Sequence, residues 1–188
     1  MKFKRRKYIE QLTTQILQET QCFNQLPINI KEVAFKRGLT IKPHPLGEDR
    51  EGNEISGVLV VKDGKGTIGY NKTHPKVRVR FTIAHEIGHY ELQHQRGGLF
   101  VDKPKNHLSV QFRDNKSSTG EDIQEQEANA FAAALLMPAE KVKQELQKTN
   151  FDLSDETDKA LKKLANDFEV STQAMAFRLA NLGYLQLM

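Results

Sequence analysis

Cysteine is almost absent from this chain. Cys22 is the only thiol among 188 residues, so no intramolecular disulfide can form, and nothing in the composition indicates an oxidising compartment. A closed four-cysteine zinc site is excluded for the same reason. Long apolar runs are also missing, which excludes a membrane span, and the basic start MKFKRRKYIEQL lacks the apolar segment of a secretory signal. We therefore expect a cytoplasmic protein.

The rest of the composition is typical of a soluble globular protein. Hydrophobic residues make up 38% of the chain and charged residues 28%. The net charge of +4 is mildly basic, which allows an acidic partner without indicating one. This length suits one compact domain with a small appendage. We place a main domain at residues 1–150 and a C-terminal helical segment, packed on it, at residues 151–188.

Helical periodicity dominates the chain. It predicts helices at residues 3–20, 29–38, 76–90, 121–136 and 139–148, followed by a helix-turn-helix pair near the end. Strand-like runs are LTIKP, SGVLVV and TIGYN, with KDGKG as the turn of a hairpin, and LFVD and LSVQF as short edge strands. The fold class predicted is α+β: a mostly helical core with a small antiparallel sheet and a C-terminal helical segment.

The segment RFTIAHEIGHYELQH, residues 80–94, holds three of the six histidines. His85 and His89 are four residues apart and lie on one face of the predicted helix, where two imidazoles can reach one metal ion. Glu86 can reach the open side of that ion and take a proton from a metal-bound water. This H-E-x-x-H spacing predicts a catalytic zinc site. The competing interpretation is an ordinary helix with two partly exposed histidines.

A catalytic zinc site needs a third protein ligand. In one arrangement it is a histidine six residues beyond the second, but that position holds Gln95. The helix EDIQEQEANAFAAALLMP offers carboxylates instead. We favour Glu125, because its helix face also carries small residues and Asn129, which could hydrogen-bond a ligand histidine. Glu127 is the second choice and Glu121 the third.

RFTIAHEIGH and EQEANAFAAALLMP together resemble the ImmA/IrrE family of metallopeptidases, and PINIKEVAFKRGLTI, ISGVLVV, IGYN and VSTQAMAFRLANLGYL fit the flanking sequence of that family. The resemblance covers most of the chain and makes residues 1–150 the metallopeptidase domain. It implies that His85 and His89 bind zinc, that Glu86 is the general base, and that Glu125 of the EQEAN segment is the third ligand. Manganese, iron or another divalent metal is the alternative to zinc.

The same resemblance implies a zinc endopeptidase that cleaves a helix-turn-helix repressor and so activates genes of a mobile element or a stress response. The alternative function is a non-catalytic, metal-containing regulator that binds DNA or a partner protein. The intact Glu86 favours the peptidase, because a purely structural metal site does not need a general base.

The C-terminal stretch LANDFEVSTQAMAFRLANLGYL has the spacing of a helix-turn-helix. A DNA-reading helix would carry several polar or basic residues early, and here only Thr172, Gln173 and Arg178 are available. Residues 151–188 contain six acidic and four basic residues, whereas phosphate contacts need concentrated positive charge. We expect this segment to brace the core or position a protein substrate, and do not expect direct DNA binding.

Other polar residues near the motif have structural and functional interpretations. His94 could assist the site or stabilise an oxyanion, but a helix cap or a surface position is the simpler interpretation. His107 could reach the cleft, although a solvated loop position is simpler. Arg78 and Arg80 could hold substrate, and we expect them to form structural ion pairs instead.

Overall fold

The computed structural model of the chain describes residues 1, 3–48, 54–94, 99–102, 120–148 and 157–185, with the backbone alone at 99–102, 120–122 and 157–158. The helices within these ranges are α1 Phe3–Glu19, α2 Ile30–Lys36, α3 Lys76–Glu91, α4 Gly120–Leu136, α5 Ala139–Lys148, α6 Thr157–Asp167 and α7 Thr172–Asn181. The strands are β1 Thr40–His44, β2 Gly57–Lys62, β3 Lys65–Asn71 and β4 Leu99–Asp102. The predicted α+β fold class is confirmed.

The four strands form one sheet in the order β1-β3-β2-β4. The hairpin of β2 and β3 is antiparallel as predicted, and its turn uses Asp63 and Gly64 at positive φ angles of 50° and 74°. LFVD pairs antiparallel with β2 as a strand at the edge, whereas LSVQF lies outside the described residues. The prediction of an antiparallel sheet is wrong for β1, which runs parallel to β3, because β3 inserts between β1 and β2.

Helix ends follow local signals in the sequence. The side chain of Asn29 accepts a hydrogen bond from the Glu32 amide at 3.3 Å and so begins α2, while Gly38 follows that helix with φ 75°. Ser171 caps α7 in the same way, with its hydroxyl 3.1 Å from the Ala174 amide nitrogen. These short-range contacts place the helices close to their predicted bounds.

Helix α3 lies between the sheet and α4 and forms the centre of the core. Its apolar residues Ile83 and Ile87 are fully buried, as are Leu59 and Ile68 of the sheet. Burial of each such side chain contributes about 1.5–3 kcal/mol. Because Gly88 has no side chain, the ring of Phe131 on α4 can lie against α3: a Cβ at position 88 would be 3.1 Å from Phe131.

The C-terminal helices join the same hydrophobic core as α1 and α4. Arg178 of α7 is buried, donates through Nε to the Met137 carbonyl at 2.9 Å, and pairs with Glu10 of α1. The predicted domain boundary at residue 150 falls outside the described residues and stays a prediction. No helix in the described part of the chain is long and apolar enough to cross a membrane.

Candidate metal centre

One face of α3 carries polar side chains into the protein interior. His85, Glu86 and His89 are each 0% exposed, and the Nε2 atoms of the two histidines are 2.9 Å apart. The four-residue spacing brings these imidazoles together, because residues one helical turn apart lie above one another on the same face. The interpretation of an ordinary helix with partly exposed histidines is therefore wrong.

Helix α4 crosses α3 and adds a carboxylate to the pair. Glu125 Oε2 lies 3.3 Å from His85 Nε2, and Glu125 Oε1 lies 3.3 Å from His89 Nε2. The three side chains form a cluster that could hold a metal ion, with one ligand atom from each residue within 4.8 Å of the others. Atoms about 2.0–2.2 Å from a tetrahedral zinc ion are separated by about 3.3–3.6 Å, which matches the histidine–carboxylate distances.

The other carboxylates of α4 do not join this cluster where the structure describes them. Glu127 lies about 200° around the helix from Glu125 and faces α1, where Arg5 holds it at 2.6 Å. The side chain of Glu121 lies outside the described residues, as do Gln95 and the loop histidine His107.

The hydrogen bond of His85 determines which of its nitrogens carries the proton. Its Nδ1 lies 3.0 Å from Oδ1 of the buried Asn129, one turn after Glu125 on α4. An amide oxygen only accepts hydrogen bonds, so Nδ1 of His85 donates and its Nε2 presents a lone pair to the cluster. The contact anticipated for Asn129 from its helix face is present.

Charge in the cluster suits a cation. Burial lowers the pKa of His89 to about 4, so its imidazole is neutral near pH 7. Burial acts against the ionised form of Glu125, but the nearby His85 and His89 outweigh it and lower the pKa of this carboxyl. Two imidazoles and one negative carboxylate converge here, which is a set of side chains typical of a divalent metal site.

Glu86 occupies a different position from the three clustered residues. It points towards the start of β2, where a Cβ at Gly57 would lie 2.8 Å from Glu86 Oε1 and 2.4 Å from Cγ2 of Thr82. The absence of a side chain at Gly57 thus makes room for the Glu86 carboxylate beside the sheet.

His94 is buried, so the expectation of a surface position is wrong. Its amide donates to the His89 carbonyl at 3.0 Å, which ends α3, and the chain turns back through Gln93 at φ 55°. This turn places the buried His94 ring behind His89, with their Nδ1 atoms 3.1 Å apart. On its other side, His94 Nε2 lies 3.1 Å from Oε2 of Glu127. Sequence reasoning missed this arrangement, and its only local signal was the position of His94 just after the helix end.

The two arginines that precede the motif have structural partners, as expected. Arg78 donates to Ser56 Oγ at 2.8 Å and pairs with Glu54 at 3.5 Å. Arg80 is buried and donates to the Glu169 carbonyl at 3.1 Å, which links α3 to the turn before α7.

Comparison with known families agrees with this geometry. The family model Peptidase_M78, described as the IrrE N-terminal-like domain, matches residues 44–180, which include the whole cluster. No curated protein sequence matches the chain. The match spans well over half of the 188 residues and contains both helices that form the cluster. The chain belongs to the Peptidase_M78 family of metallopeptidases with an IrrE N-terminal-like domain.

Proposed function

We propose that this protein is a zinc-dependent endopeptidase in which His85, His89 and Glu125 bind the metal and Glu86 is the general base. The observation that carries the proposal is the convergence of two imidazole nitrogens and a carboxylate at 2.9–3.3 Å, inside the part of the chain that matches a peptidase family. A metal bound there would act as a Lewis acid, polarising the scissile carbonyl and lowering the pKa of a water molecule.

The protein residues divide the remaining work. Glu86 takes a proton from the attacking water and delivers it to the leaving amine nitrogen. Asn129 keeps the proton of His85 on Nδ1, so that Nε2 is available as a ligand. The burial of Glu86 beside β2 limits its side-chain motion and keeps its carboxylate in one place.

The ligand count favours catalysis over the alternative of a non-catalytic metal site. Within the described ranges the cluster offers three protein ligands, the number typical of catalytic zinc, whereas structural zinc sites use four. Two histidines and a carboxylate also suit iron or manganese. Metal analysis of the protein purified without added metal, together with activity after reloading with each ion, tests the choice of zinc.

We propose a helix-turn-helix repressor as the substrate, on the basis of the family resemblance. The buried position of Arg178 in α7 supports a role of the C-terminal helices other than DNA reading. Arg178 is the only basic residue of α7, and it is buried and engaged with the core, where it is not available to a phosphate.

The test is incubation of the protein with a candidate substrate, a helix-turn-helix regulator from the same source, comparing wild type with Glu86→Gln. Glutamine has the shape of glutamate but cannot take a proton, so we expect zinc binding to persist and cleavage to fall on the order of 10²- to 10⁴-fold. Near-normal cleavage by Glu86→Gln would remove this residue from the mechanism.

A titration against duplex DNA at moderate salt separates the peptidase from the DNA-binding alternative. We expect weak binding without sequence preference, because the C-terminal segment is net acidic. Tight, sequence-selective binding that is lost on Gln173→Ala, an exposed position at the start of α7, would favour the DNA-binding regulator.

A further inference from the structure

A row of polar side chains extends from His89 away from the metal cluster towards the N-terminal helix. His94 Nδ1 lies 3.1 Å from His89 Nδ1, and His94 Nε2 lies 3.1 Å from Glu127 Oε2. Arg5 of α1 then holds Glu127 with two hydrogen bonds, Nε to Oε1 at 2.8 Å and Nη2 to Oε2 at 2.6 Å. We call His94, Glu127 and Arg5 the outer chain.

The histidine hydrogen bonds along the outer chain donate in one direction, from His89 to His94 and from His94 to Glu127. When Nε2 of His89 presents its lone pair to the metal cluster, its proton is on Nδ1, which donates to Nδ1 of His94. His94 then carries its own proton on Nε2 and donates it to Glu127, since a carboxylate only accepts. Arg5 supplies donors alone and fills both carboxylate oxygens. The metal-binding tautomer of His89 therefore satisfies every link.

We propose that the outer chain positions His89 for metal binding, so that helix α1 contributes to the metal centre through Arg5. This inference rests on the proposed function. It goes beyond the matched family domain, because Arg5 lies outside residues 44–180. His85 finds its acceptor in a single residue of α4, whereas His89 is oriented through three residues that end on a different helix. Arg5, Glu127 and His94 are positioning residues and do not bind the metal themselves.

The alternative explanation is purely structural: Arg5 and Glu127 form an ion pair that only joins α1 to α4. A second arginine–glutamate pair in this protein, Arg37 with Glu91, serves as a control for this explanation. Arg37, directly after α2, donates to both carboxylate oxygens of Glu91 at 2.7 and 2.9 Å, at the C-terminal end of α3, and its Nη1 also donates to Glu19 of α1 at 2.9 Å. The side-chain exposures are 38% and 11% for Arg5 and Glu127, and 31% and 8% for Arg37 and Glu91. The two pairs therefore have comparable geometry and solvation.

The experiment compares Arg5→Ala and Arg37→Ala in the full chain. Zinc affinity is measured by competition with a chromophoric chelator, and the stability of the metal-free protein is measured by urea unfolding. We expect a lower unfolding midpoint in both variants, with a shift in Arg37→Ala at least as large because it also loses the contact with Glu19, but a lower zinc affinity only in Arg5→Ala. Disruption closer to the ligand, in His94→Leu and Glu127→Gln, should lower zinc affinity about 10- to 100-fold.

Cobalt supplies a readout that a purely structural role would not move. The visible absorption of bound Co²⁺ reports the orientation and basicity of its ligands, so we expect a shifted spectrum in Glu127→Gln and an unchanged one in Glu91→Gln. Arg5→Lys retains the charge but not the two-bond geometry, and it should recover part of the zinc affinity lost in Arg5→Ala.

The outcomes separate this inference from the proposed function. If the wild-type chain bound neither zinc nor cobalt, the proposed function would be refuted, and this inference with it. If the wild type bound zinc and the outer-chain variants bound it within about twofold of wild type, short of the loss typical of such partners, this inference alone would be wrong. Equal losses of zinc affinity in Arg5→Ala and Arg37→Ala would also refute it, since they would point to general destabilisation.

Discussion

Substitution of Gly57 by alanine should damage both the stability and the chemistry of this protein. An added Cβ would lie 2.4 Å from Cγ2 of Thr82 and 2.8 Å from Oε1 of Glu86, well inside normal contact distances of about 3.5–4.0 Å. The strand cannot easily retreat, because β2 is paired on both sides, with β3 and β4. The side chains on α3 must move instead.

Two opposing terms set the size of the effect on stability. Overpacking of a close-packed interior costs about 1–3 kcal/mol. Replacing glycine by alanine in a strand recovers about 0.5–1 kcal/mol of backbone entropy, which leaves a net destabilisation of up to about 2.5 kcal/mol. Displacement of the Glu86 carboxylate by about 1 Å is expected to lower the cleavage rate on the order of 100-fold. Zinc affinity should change little, because Glu86 is not among the three clustered residues.

A second substitution separates the two contacts. Thr82→Ser removes Cγ2 and so relieves the 2.4 Å conflict while leaving the conflict with Glu86 in place. In the double variant of Gly57→Ala and Thr82→Ser, we expect the urea midpoint to recover only part of the way to that of Thr82→Ser alone, whereas cleavage of the regulator stays impaired. Wild-type stability and cleavage in the single variant Gly57→Ala would refute the reasoning, and so would recovery of cleavage in the double variant.

Three further predictions concern separate contacts. Asn129→Leu removes the acceptor that orients His85 and should lower zinc affinity about 10- to 100-fold, measured by chelator competition. Arg178→Leu deprives a carbonyl at the end of α4 and a carboxylate of α1 of their charged donor, which should lower the free energy of unfolding by about 1.5–3 kcal/mol in a urea titration. A hydrogen bond from His74 lowers the pKa of Glu54 below its ordinary value of 4.5. The unfolding midpoint of wild type should therefore exceed that of Glu54→Gln above about pH 4.5, and the difference should vanish as the pH falls through the lower folded-state pKa.

Local chemistry in the sequence accounts for the features that depend on neighbouring residues. The pairing of His85 with His89 follows from the helical repeat alone, so the motif predicted their convergence without knowledge of the fold. The hairpin turn at Asp63 and Gly64 and the start of α7 at Ser171 follow from residue types that suit those backbone conformations.

Contacts between distant segments were decided only by the tertiary structure. The helix face favours Glu125 over Glu127 by sequence, and the packing of α4 across α3 places Glu125 beside the two histidines and Glu127 beside His94. The parallel direction of β1 likewise depends on the insertion of β3 between β1 and β2.

The row from His89 to Arg5 is the clearest case of this difference. Its members come from α1, the end of α3 and α4, and the Arg5–Glu127 contact spans 122 residues of chain. Helical periodicity indicates which face of each helix is apolar, but the relative placement of the helices arises from close packing of the whole core. The convergence of His85 and His89 was therefore determined by the sequence itself, whereas the position of Glu125 beside them and the burial of His94 were decided by the packing of helices α1, α3 and α4.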